Sequence, residues 1–295
     1  METIEGVLVA RTVAQFVIWQ QSWRATGRSL ALVPTMGALH AGHLALITEG
    51  GRQADAVAVT IFVNPLQFGP REDLAKYPRQ LSGDCAKCAN AGAALVFAPS
   101  AAEMYPADFQ TSVAVEKLQA RWDGHSRPGH FAGVATVVLK LLNLAQADVA
   151  VFGEKDWQQL QIIRQMATDL HHPTRIIGAP IVREADGLAL SSRNAFLSAD
   201  ERARAVAIVQ SLQEISQLAG RGGVETAPLA AHLAGRITAA GGRIDYACIV
   251  DAATLEPVDR LDRPARALVA AWFGTPKLLD NWPLDPRVDL PVLTS

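Results

Sequence analysis

Residues 29–47 read SLALVPTMGALHAGHLALI, and this stretch decides the fold class. Its first five residues form an apolar run with the length and composition of a buried strand. A second apolar run starts at Leu44 and has helical periodicity. Between the two runs lie a proline, two glycines and two histidines three positions apart, His40 and His43. A strand that passes through a glycine-containing turn directly into a helix indicates one βα unit of a parallel sheet.

The same alternation continues along the chain to about residue 182. Further strand-like runs lie at residues 54–63, 93–98, 148–152 and 175–182, and helical patterns lie at 44–53, 74–90, 133–146 and 157–170. Apolar strands separated by helices indicate a parallel sheet that is covered on both faces. We therefore predict a doubly wound, Rossmann-like α/β domain over residues 1–182, whose ligands bind beyond the carboxyl ends of the strands.

The pattern changes after residue 182. An amphipathic helix is predicted over residues 199–219, with Ser198 as its cap, and a glycine-rich run at 220–223 ends it. A second Ala-rich helix follows, and short strands are predicted at residues 244–250 and 267–273. The second half is therefore predicted to be a smaller α+β domain over residues 183–295.

The composition excludes several classes of protein. The 295 residues are 49% hydrophobic and 19% charged, which is typical of a globular chain. A net charge of −2 argues against a nucleic-acid or membrane partner held by bulk electrostatics. No apolar run approaches the ~20 residues of a membrane span, and the first residues lack the pattern of a secretion signal. With three cysteines, an odd number, we expect a cytoplasmic protein without a disulfide framework.

Cys85 and Cys88 could suggest a metal site. A structural zinc ion needs about four ligands, and no second pair of ligands follows at a suitable spacing. The surrounding residues, 81–94, have the pattern of an Ala-rich helix. We therefore interpret the two thiols as packing residues and predict no metal held by the protein alone.

The two histidines at the first strand-to-helix turn suggest an anion site. The first N–H groups of a helix bind anions, and Gly42 lets a phosphate approach the backbone closely. Histidines at positions i and i+3 lie on one helical face, so His40 and His43 can reach one ligand. A surface turn with two incidental histidines is the alternative, but it leaves Pro34 and Gly37 in the same ten residues unexplained.

Polar clusters also follow other predicted strands. Residues 62–68 close the second strand, where a proline stops the hydrogen-bond ladder. Residues 153–159 close the fourth strand and offer Lys155 to a phosphate. Residues 187–194 follow the fifth and combine two serines with Arg193, whose guanidinium suits phosphate oxygens. Because the carboxyl ends of parallel strands meet at one edge of a sheet, the clusters together predict a nucleotide triphosphate site.

These segments, in this order along the chain, resemble the pantothenate synthetase family. The matching segments are residues 34–43, 62–68, 127–134 (RPGHFAGV), 153–159, 186–194 and 272–281 (WFGTPKLLDN). The His-x-Gly-His pattern alone is similar to a wider nucleotidyltransferase superfamily that includes class I aminoacyl-tRNA synthetases. The resemblance to pantothenate synthetases covers nearly the whole chain.

The resemblance implies a ligase that joins pantoate to β-alanine in two steps. ATP first adenylates the pantoate carboxylate and releases pyrophosphate, and the β-alanine amine then displaces AMP. Magnesium is expected with ATP as an ion that bridges phosphates. The partners implied are these small molecules and a second copy of the chain in a homodimer.

The resemblance also implies the site residues. It assigns ATP contacts to Met36, Gly37, Ala38, Leu39, His40, Ala41, Gly42, His43, Gly153, Glu154, Lys155, Asp156, Val182, Leu190, Ser191, Ser192 and Arg193. The catalytic positions among these are His40, His43, Lys155 and Arg193, with His43 as a proton donor to the transition state. Gln67 and Gln159 are implied for pantoate, and Gln67 also for β-alanine. No side chain stands out as a base for the second step.

Two alternatives stay open on the sequence. One is a related adenylyltransferase with another acceptor, which Gln67 and Gln159 argue against. The other is a non-catalytic nucleotide-binding regulator, which should have lost part of the charged set. The chain departs from the family's usual residues at Asp123, where Glu is common, and at Ala45, where Ser is frequent. Neither position is implied in catalysis.

Overall fold

The structure, a computed structural model, describes residues 1–69, 74, 77–220 and 223–285. The chain forms two compact units. The first comprises Met1–Ala120, Arg127–Glu154 and Gln159–Pro180, and the second comprises Arg121–Ser126, Lys155–Gln158 and Ile181–Ser295. The predicted division at residue 182 uses a single cut, whereas two short segments here group with the C-terminal residues. The division into domains 1–182 and 183–295 therefore stays a prediction.

The first unit is built on a seven-stranded sheet with the order β1-β2-β5-β4-β3-β6-β7. The strands are β1 (Glu2–Ile4), β2 (Val7–Ala10), β3 (Leu30–Thr35), β4 (Ala56–Ile61), β5 (Leu95–Phe97), β6 (Val149–Gly153) and β7 (Arg175–Ala179). Only the pairing of β1 with β2 is antiparallel among these strands. After β3 the chain adds β4 and β5 on one side and then β6 and β7 on the other, so the strand order reverses between β3 and β6. In doubly wound sheets this reversal is where ligands bind.

Helices connect the strands of this sheet. Among the described residues of both units, the α-helices in chain order are α1 (Val13–Arg24), α2 (Ala41–Gln53), α3 (Leu81–Asn90), α4 (Ala101–Met104), α5 (Glu116–Gln119), α6 (Asp123–Ser126), α7 (His130–Ala145), α8 (Trp157–Asp169), α9 (Ala199–Ala205), α10 (Ala207–Ala219) and α11 (Thr226–Ala239). The centre of the sheet is apolar and fully buried, as Ala31, Val33 and Val59 illustrate. Strands covered on both faces read as continuous apolar runs, which is why the sequence revealed them.

The second unit contains a three-stranded antiparallel sheet with the order β10-β9-β8. Its strands are β8 (Arg243–Asp251), β9 (Ala265–Trp272) and β10 (Lys277–Leu284). Apolar residues of α10 and α11, such as Leu212 and Leu233, pack with the apolar side chains of this sheet. Together with the mixed sheet of the first unit, this arrangement confirms the predicted fold class. No helix within the described ranges is both long and apolar enough to cross a membrane.

The structure differs from the sequence predictions in several elements. The strands β1 and β2 and the helix α1 were not predicted, although Thr12 and Gln15 form the capping box that begins α1. The helix predicted at 74–90 covers only Leu81–Asn90, and residues 75 and 76 lie outside the described residues. The helix predicted at 199–219 divides at Val206, which keeps helical dihedral angles, so the apolar periodicity continues across the break.

Candidate active site

The turn after β3 adopts a backbone conformation that requires glycine at one position. Gly37 has a φ of +85°, and a Cβ atom there would lie 3.0 Å from Oδ2 of Asp84. Ala38 follows with a φ of +52°, which is uncommon for a residue with a side chain. The Thr35 hydroxyl accepts a hydrogen bond from the Gly37 N–H at 3.2 Å. The turn is therefore held in a conformation that the chain would not favour in isolation.

Asp84 holds this turn from helix α3. Its two carboxylate oxygens accept the N–H groups of Ala38 and Leu39, both at 2.8 Å, and its side chain is only 2% exposed. Lys87, one turn later, donates to the Leu39 carbonyl at 2.7 Å. Hydrogen bonds from backbone N–H groups stabilise a buried carboxylate. Because Asp84 already binds the N–H groups of Ala38 and Leu39, other groups of residues 36–43 have to supply the predicted hydrogen bonds to an anion.

His40 and His43 cap the start of α2 reciprocally. His40 Nδ1 accepts the Gly42 N–H at 3.2 Å, and His43 Nδ1 accepts the His40 N–H at 3.3 Å. The ring centroids lie 4.1 Å apart. A ring nitrogen that accepts a hydrogen bond does not carry a hydrogen, so in each neutral ring the proton is on Nε2. The predicted grouping of the two histidines is therefore present, and both can donate from Nε2.

Gln67 is oriented at the carboxyl end of β4. It closes a short 3₁₀ helix, Pro65–Gln67, and is 8% exposed. Its Oε1 accepts from Asn64 Nδ2 at 3.1 Å, and its Nε2 donates to Met36 Sδ at 2.9 Å. Tyr105 donates to Asn64 Oδ1 at 2.8 Å. Burial raises the pKa of the Tyr105 hydroxyl, which keeps it protonated as a donor.

The start of α7 supports the main chain at Gln67. His130 is buried, and its Nδ1 lies 2.8 Å from the Gln67 carbonyl oxygen. Its Nε2 lies 2.9 Å from Nη1 of Arg127. A guanidinium only donates, so Nε2 accepts and the Nδ1 hydrogen points to the Gln67 carbonyl. The segment RPGHFAGV, which sequence reasoning noted only as a resemblance, thus positions a predicted pantoate residue.

Gly133 allows α7 to approach the turn at Gln67. A Cβ atom at Gly133 would overlap the carbonyl group of Leu66 and would lie 2.7 Å from the Gln67 nitrogen. The Gly133 carbonyl accepts from Asn64 Nδ2 at 3.0 Å. Close approach of two backbones is a frequent reason for a glycine inside a helix. This glycine therefore has a packing function that the sequence pattern did not reveal.

Lys155 lies on a short 3₁₀ helix, Glu154–Asp156, that follows β6. Its Nζ is 3.7 Å from Asp156 Oδ1. Its carbonyl accepts from Asn281 Nδ2 at 2.9 Å. Lys155 and Asp156 belong to the second unit, whereas β6 belongs to the first. The segment is therefore held by contacts that the strand pattern alone could not predict.

Residues 187–194 of the second unit, called the serine-rich segment below, are also fixed by hydrogen bonds. Ser191 caps the 3₁₀ helix Ser192–Phe196 by accepting the Arg193 N–H at 3.2 Å. Asn194 donates to the Ala189 carbonyl at 3.1 Å and to Glu184 Oε1 at 2.6 Å. The side chains of Ser192 and Arg193 remain exposed. This geometry leaves a hydroxyl and a guanidinium accessible to a phosphate.

The predicted residues divide between the two units. The first unit carries Met36, Gly37, Ala38, Leu39, His40, Ala41, Gly42, His43, Gln67, Gly153, Glu154 and Gln159, and the second carries Lys155, Asp156, Val182, Leu190, Ser191, Ser192 and Arg193. Within the first unit the structure brings Met36, His40, His43 and Gln67 into local clusters. Gln159 lies half-buried in the first turn of α8. Their ligand contacts stay predictions.

Comparisons with known proteins identify the family. The family model for pantoate-β-alanine ligase matches residues 8–283. The chain belongs to the pantoate-β-alanine ligase family. A pantothenate synthetase of Myxococcus xanthus is 53% identical over 279 residues, which cover 94% of this chain and 96% of that protein. The crystal structure of a pantothenate synthetase from Thermus thermophilus matches with a TM-score of 0.87 and 43% identity, covering 93% of this chain and 98% of that one.

A second solved member of the pantoate-β-alanine ligase family comes from Francisella tularensis. Its crystal structure is described as complexed with β,γ ATP and β-alanine, and it matches with a TM-score of 0.78 and 32% identity. The match covers 96% of this chain and 99% of that one. The predictions of the family and of a ligase that forms pantothenate from pantoate and β-alanine are confirmed.

Several residues that organise the site of this ligase were not among the predicted site residues. They are Asp84, Asn64, Tyr105, His130 and Asn281. Asn64 had a signal, because an Asn before a Pro caps a turn. The other four act over more than 30 positions in the sequence, and no local pattern links them to the site.

Proposed function

We propose that this ligase condenses (R)-pantoate with β-alanine through a pantoyl adenylate. ATP would transfer its adenylyl group to the pantoate carboxylate with release of pyrophosphate. The β-alanine amine would then attack the acyl carbon and release AMP. The observation that carries the proposal is the reciprocal cap of His40 and His43 directly after β3. The solved Francisella relative, whose description names β,γ ATP and β-alanine, supports the choice of substrates.

The two histidines are proposed to act on the phosphates. Negative charge builds on the α-phosphate and on the departing pyrophosphate during adenylation, and preorganised donors stabilise it. The cap supports Nε2–H as the donor in both rings, because each Nδ1 already accepts a backbone N–H. His43 would thus supply its hydrogen to the transition state from Nε2. The cap fixes the ring orientation before the substrate binds, so little reorganisation is required.

Basic and hydroxyl side chains of the second unit are also assigned to the charged part of ATP. Lys155 and Arg193 would neutralise phosphate oxygens, and Ser191 and Ser192 would donate hydroxyl hydrogen bonds. The remaining ATP contacts are those predicted for residues 36–43, 153–156, Val182 and Leu190. The exposure of Ser192 and Arg193 supports their assignment.

Magnesium is proposed to bind with ATP. In the described ranges no group of three or more His, Cys, Asp or Glu side chains is arranged to hold a metal ion. Asp156, which is half exposed beside Lys155, could contribute one oxygen ligand to an ion held mainly by phosphates. Bound in this way, the ion would neutralise charge on the triphosphate.

Gln67 and Gln159 are proposed to bind pantoate. Pantoate carries a carboxylate and two hydroxyls, which an amide side chain can bind with both its donor and its acceptor. The bond from Asn64 and the support from His130 restrict Gln67 to one orientation, which favours it as a substrate residue. Gln67 is also proposed to contact β-alanine.

Family membership favours this function over the two alternatives left open by the sequence. An adenylyltransferase with another acceptor would not account for a family match over residues 8–283. A non-catalytic regulator would not need to keep His40, His43, Lys155 and Arg193. A homodimeric state and a cytoplasmic location stay predictions.

Isotope exchange tests the proposal. With ATP, magnesium and pantoate but without β-alanine, labelled pyrophosphate should enter ATP, because adenylation is reversible before the amine arrives. Omission of pantoate is the control and should abolish the exchange. Exchange that strictly requires β-alanine would instead indicate a concerted reaction. A screen of amines that follows AMP release should show β-alanine as the preferred acceptor.

A further inference from the structure

Strand β10 begins within the segment TPKLLDN, residues 275–281, whose last residue is Asn281. Asn281 is 2% exposed. Its Nδ2 donates to the carbonyl of Lys155 at 2.9 Å, and its Oδ1 accepts from Nε of Arg266 at 2.6 Å. The amide orientation is therefore defined at both ends, because a guanidinium can only donate and a carbonyl can only accept.

Arg266, which binds Asn281, also contacts Trp157, two residues after Lys155. The guanidinium of Arg266 is buried and lies 3.6 Å from the centre of the Trp157 ring. Trp157 Nε1 donates to the Ala252 carbonyl at 2.9 Å. Arg266 therefore links the acceptor oxygen of Asn281 to the aromatic ring two positions after Lys155. The segment is therefore held at the Lys155 carbonyl by Asn281 of β10 and at the Trp157 ring by Arg266 of β9.

We propose that Asn281 is a positioning residue that fixes the main chain of Lys155 for the adenylation step. A single 3₁₀ turn has few hydrogen bonds of its own, so an external donor to its carbonyl limits how far the Lys155 Cα can shift. A shift of about 1 Å in a group that stabilises a transition state can reduce the rate by a factor of ~100. The proposal rests on the phosphate-binding role proposed above for Lys155.

The alternative is that Asn281 only stabilises the fold. Both roles lower stability when Asn281 is removed, so stability alone does not separate them. A double-mutant cycle does, because residues that act through one another give non-additive effects. The experiment measures pyrophosphate–ATP exchange with pantoate for the full-length wild type, Asn281→Ala, Lys155→Ala and the double variant, each normalised to the folded fraction.

We expect Asn281→Ala to lower the exchange kcat ~10- to 100-fold while the KM for pantoate changes by less than about twofold. In the Lys155→Ala background, the same change should lower kcat by less than about threefold. Val269→Ala in β9, a buried residue of the same sheet, is the control for lost stability and should retain the wild-type rate per folded molecule. Equal factors in both backgrounds would overturn the positioning role.

Asn281→Asp gives a second route if the alanine variant does not fold. This variant keeps the size of the side chain and the acceptor for Arg266, but it removes the N–H that reaches Lys155. It should show the same loss of kcat, and a wild-type rate would overturn the proposal. If Lys155→Ala kept the full exchange rate, the phosphate-binding role proposed for Lys155 would be wrong. If Lys155→Ala lost activity but Asn281→Asp did not, only the positioning role of Asn281 would be wrong.

Discussion

Arg183 donates to both carboxylate oxygens of Asp280, at 2.7 and 3.0 Å. The side chains are 12% and 2% exposed, so the pair is almost entirely removed from water. Arg183 also donates to the Gly187 carbonyl at 3.1 Å. Asp280 and Asn281 are consecutive in β10, and successive strand residues point to opposite faces. One dipeptide can therefore attach two different segments of the predicted ATP site to the same strand.

Removal of the Asp280 charge should destabilise the protein strongly. Asp280→Asn would leave a buried guanidinium without its counter-ion, which typically costs about 3–5 kcal/mol of unfolding free energy. Asp200→Asn is the matched control, because Asp200 pairs with Arg204 at 2.9 Å but is 81% exposed. Its cost should be below about 1 kcal/mol. Urea unfolding of both variants provides the measurement, and similar losses would contradict the role assigned to burial.

His43→Ala should lower turnover by about two to four decades, the range for a positioned acid or electrostatic donor. The variant also loses the acceptor for the His40 N–H, so unfolding free energy should fall by about 0.5–2 kcal/mol, as for other lost helix caps. Steady-state kinetics with a parallel thermal melt would measure both effects. Turnover near the wild-type value in a folded variant would remove His43 from the mechanism.

Gln67 and Lys155 should affect different substrates. Gln67→Ala is expected to raise the KM for pantoate by the equivalent of about 1–3 kcal/mol, because buried polar partners lose their bond. ATP affinity should change little. Lys155→Ala should instead lower the adenylation rate, since the charge it meets grows in the transition state. Single-turnover experiments distinguish the two, and a Gln67→Ala variant that weakened ATP alone would refute the assignment.

Gly133→Ala should disrupt the turn that carries Gln67. The new methyl group overlaps the Leu66 carbonyl, so either the helix or the turn has to move. Gly235→Ala is the control, because it lies in the middle of α11 with no heavy atom within 4 Å of the added Cβ. That change should stabilise the protein by about 0.5–1 kcal/mol through helix propensity. Pantoate affinity and stability to urea should both fall in Gly133→Ala and not in Gly235→Ala. Equal results for the two variants would contradict the close approach of α7 to the turn at Gln67.

Acid should weaken the anchoring of the serine-rich segment. The hydrogen bond from Arg202 is the main reason why the pKa of Glu184 lies below its ordinary value, and the bond from Asn194 acts in the same direction. A lowered carboxyl pKa adds stability above the unfolded value of ~4.3, and this contribution is lost as the pH falls through the folded pKa. The stability difference between wild type and Glu184→Gln should therefore shrink as the pH falls below ~4.3. A constant difference would show that the charge of Glu184 is not responsible.

The central strands and their turns were predictable because their signals are local. The apolar run before Pro34 is buried on both faces, and the glycine and histidines that follow it decide the turn within ten residues. The edge strand β1 lacks this signal because it is three residues long and has exposed side chains, whereas its neighbour β2 is apolar but only four residues long. Short edge strands read as loops because they need not alternate or be continuously apolar.

The supports of the site were not predictable for a different reason. Asp84 binds a turn more than 40 positions before it, and Asn281 binds a carbonyl more than 120 positions before it. Every residue has a backbone carbonyl, so the sequence does not show which carbonyl a side chain such as that of Asn281 will bind. Such contacts become visible only when the fold brings the segments together.

The assignment of Lys155–Gln158 and Arg121–Ser126 to the second unit also limits how the molecule can be dissected. A fragment that stops at Pro180 would carry both segments without the residues that hold them, among them Asp245, Ala252 and Asn281. A fragment that starts at Ile181 would in turn present those residues without their partners. The two units are consequently not modules that a single cut, a fusion or a recombination crossover can exchange, even though their sheets are formed by separate parts of the chain.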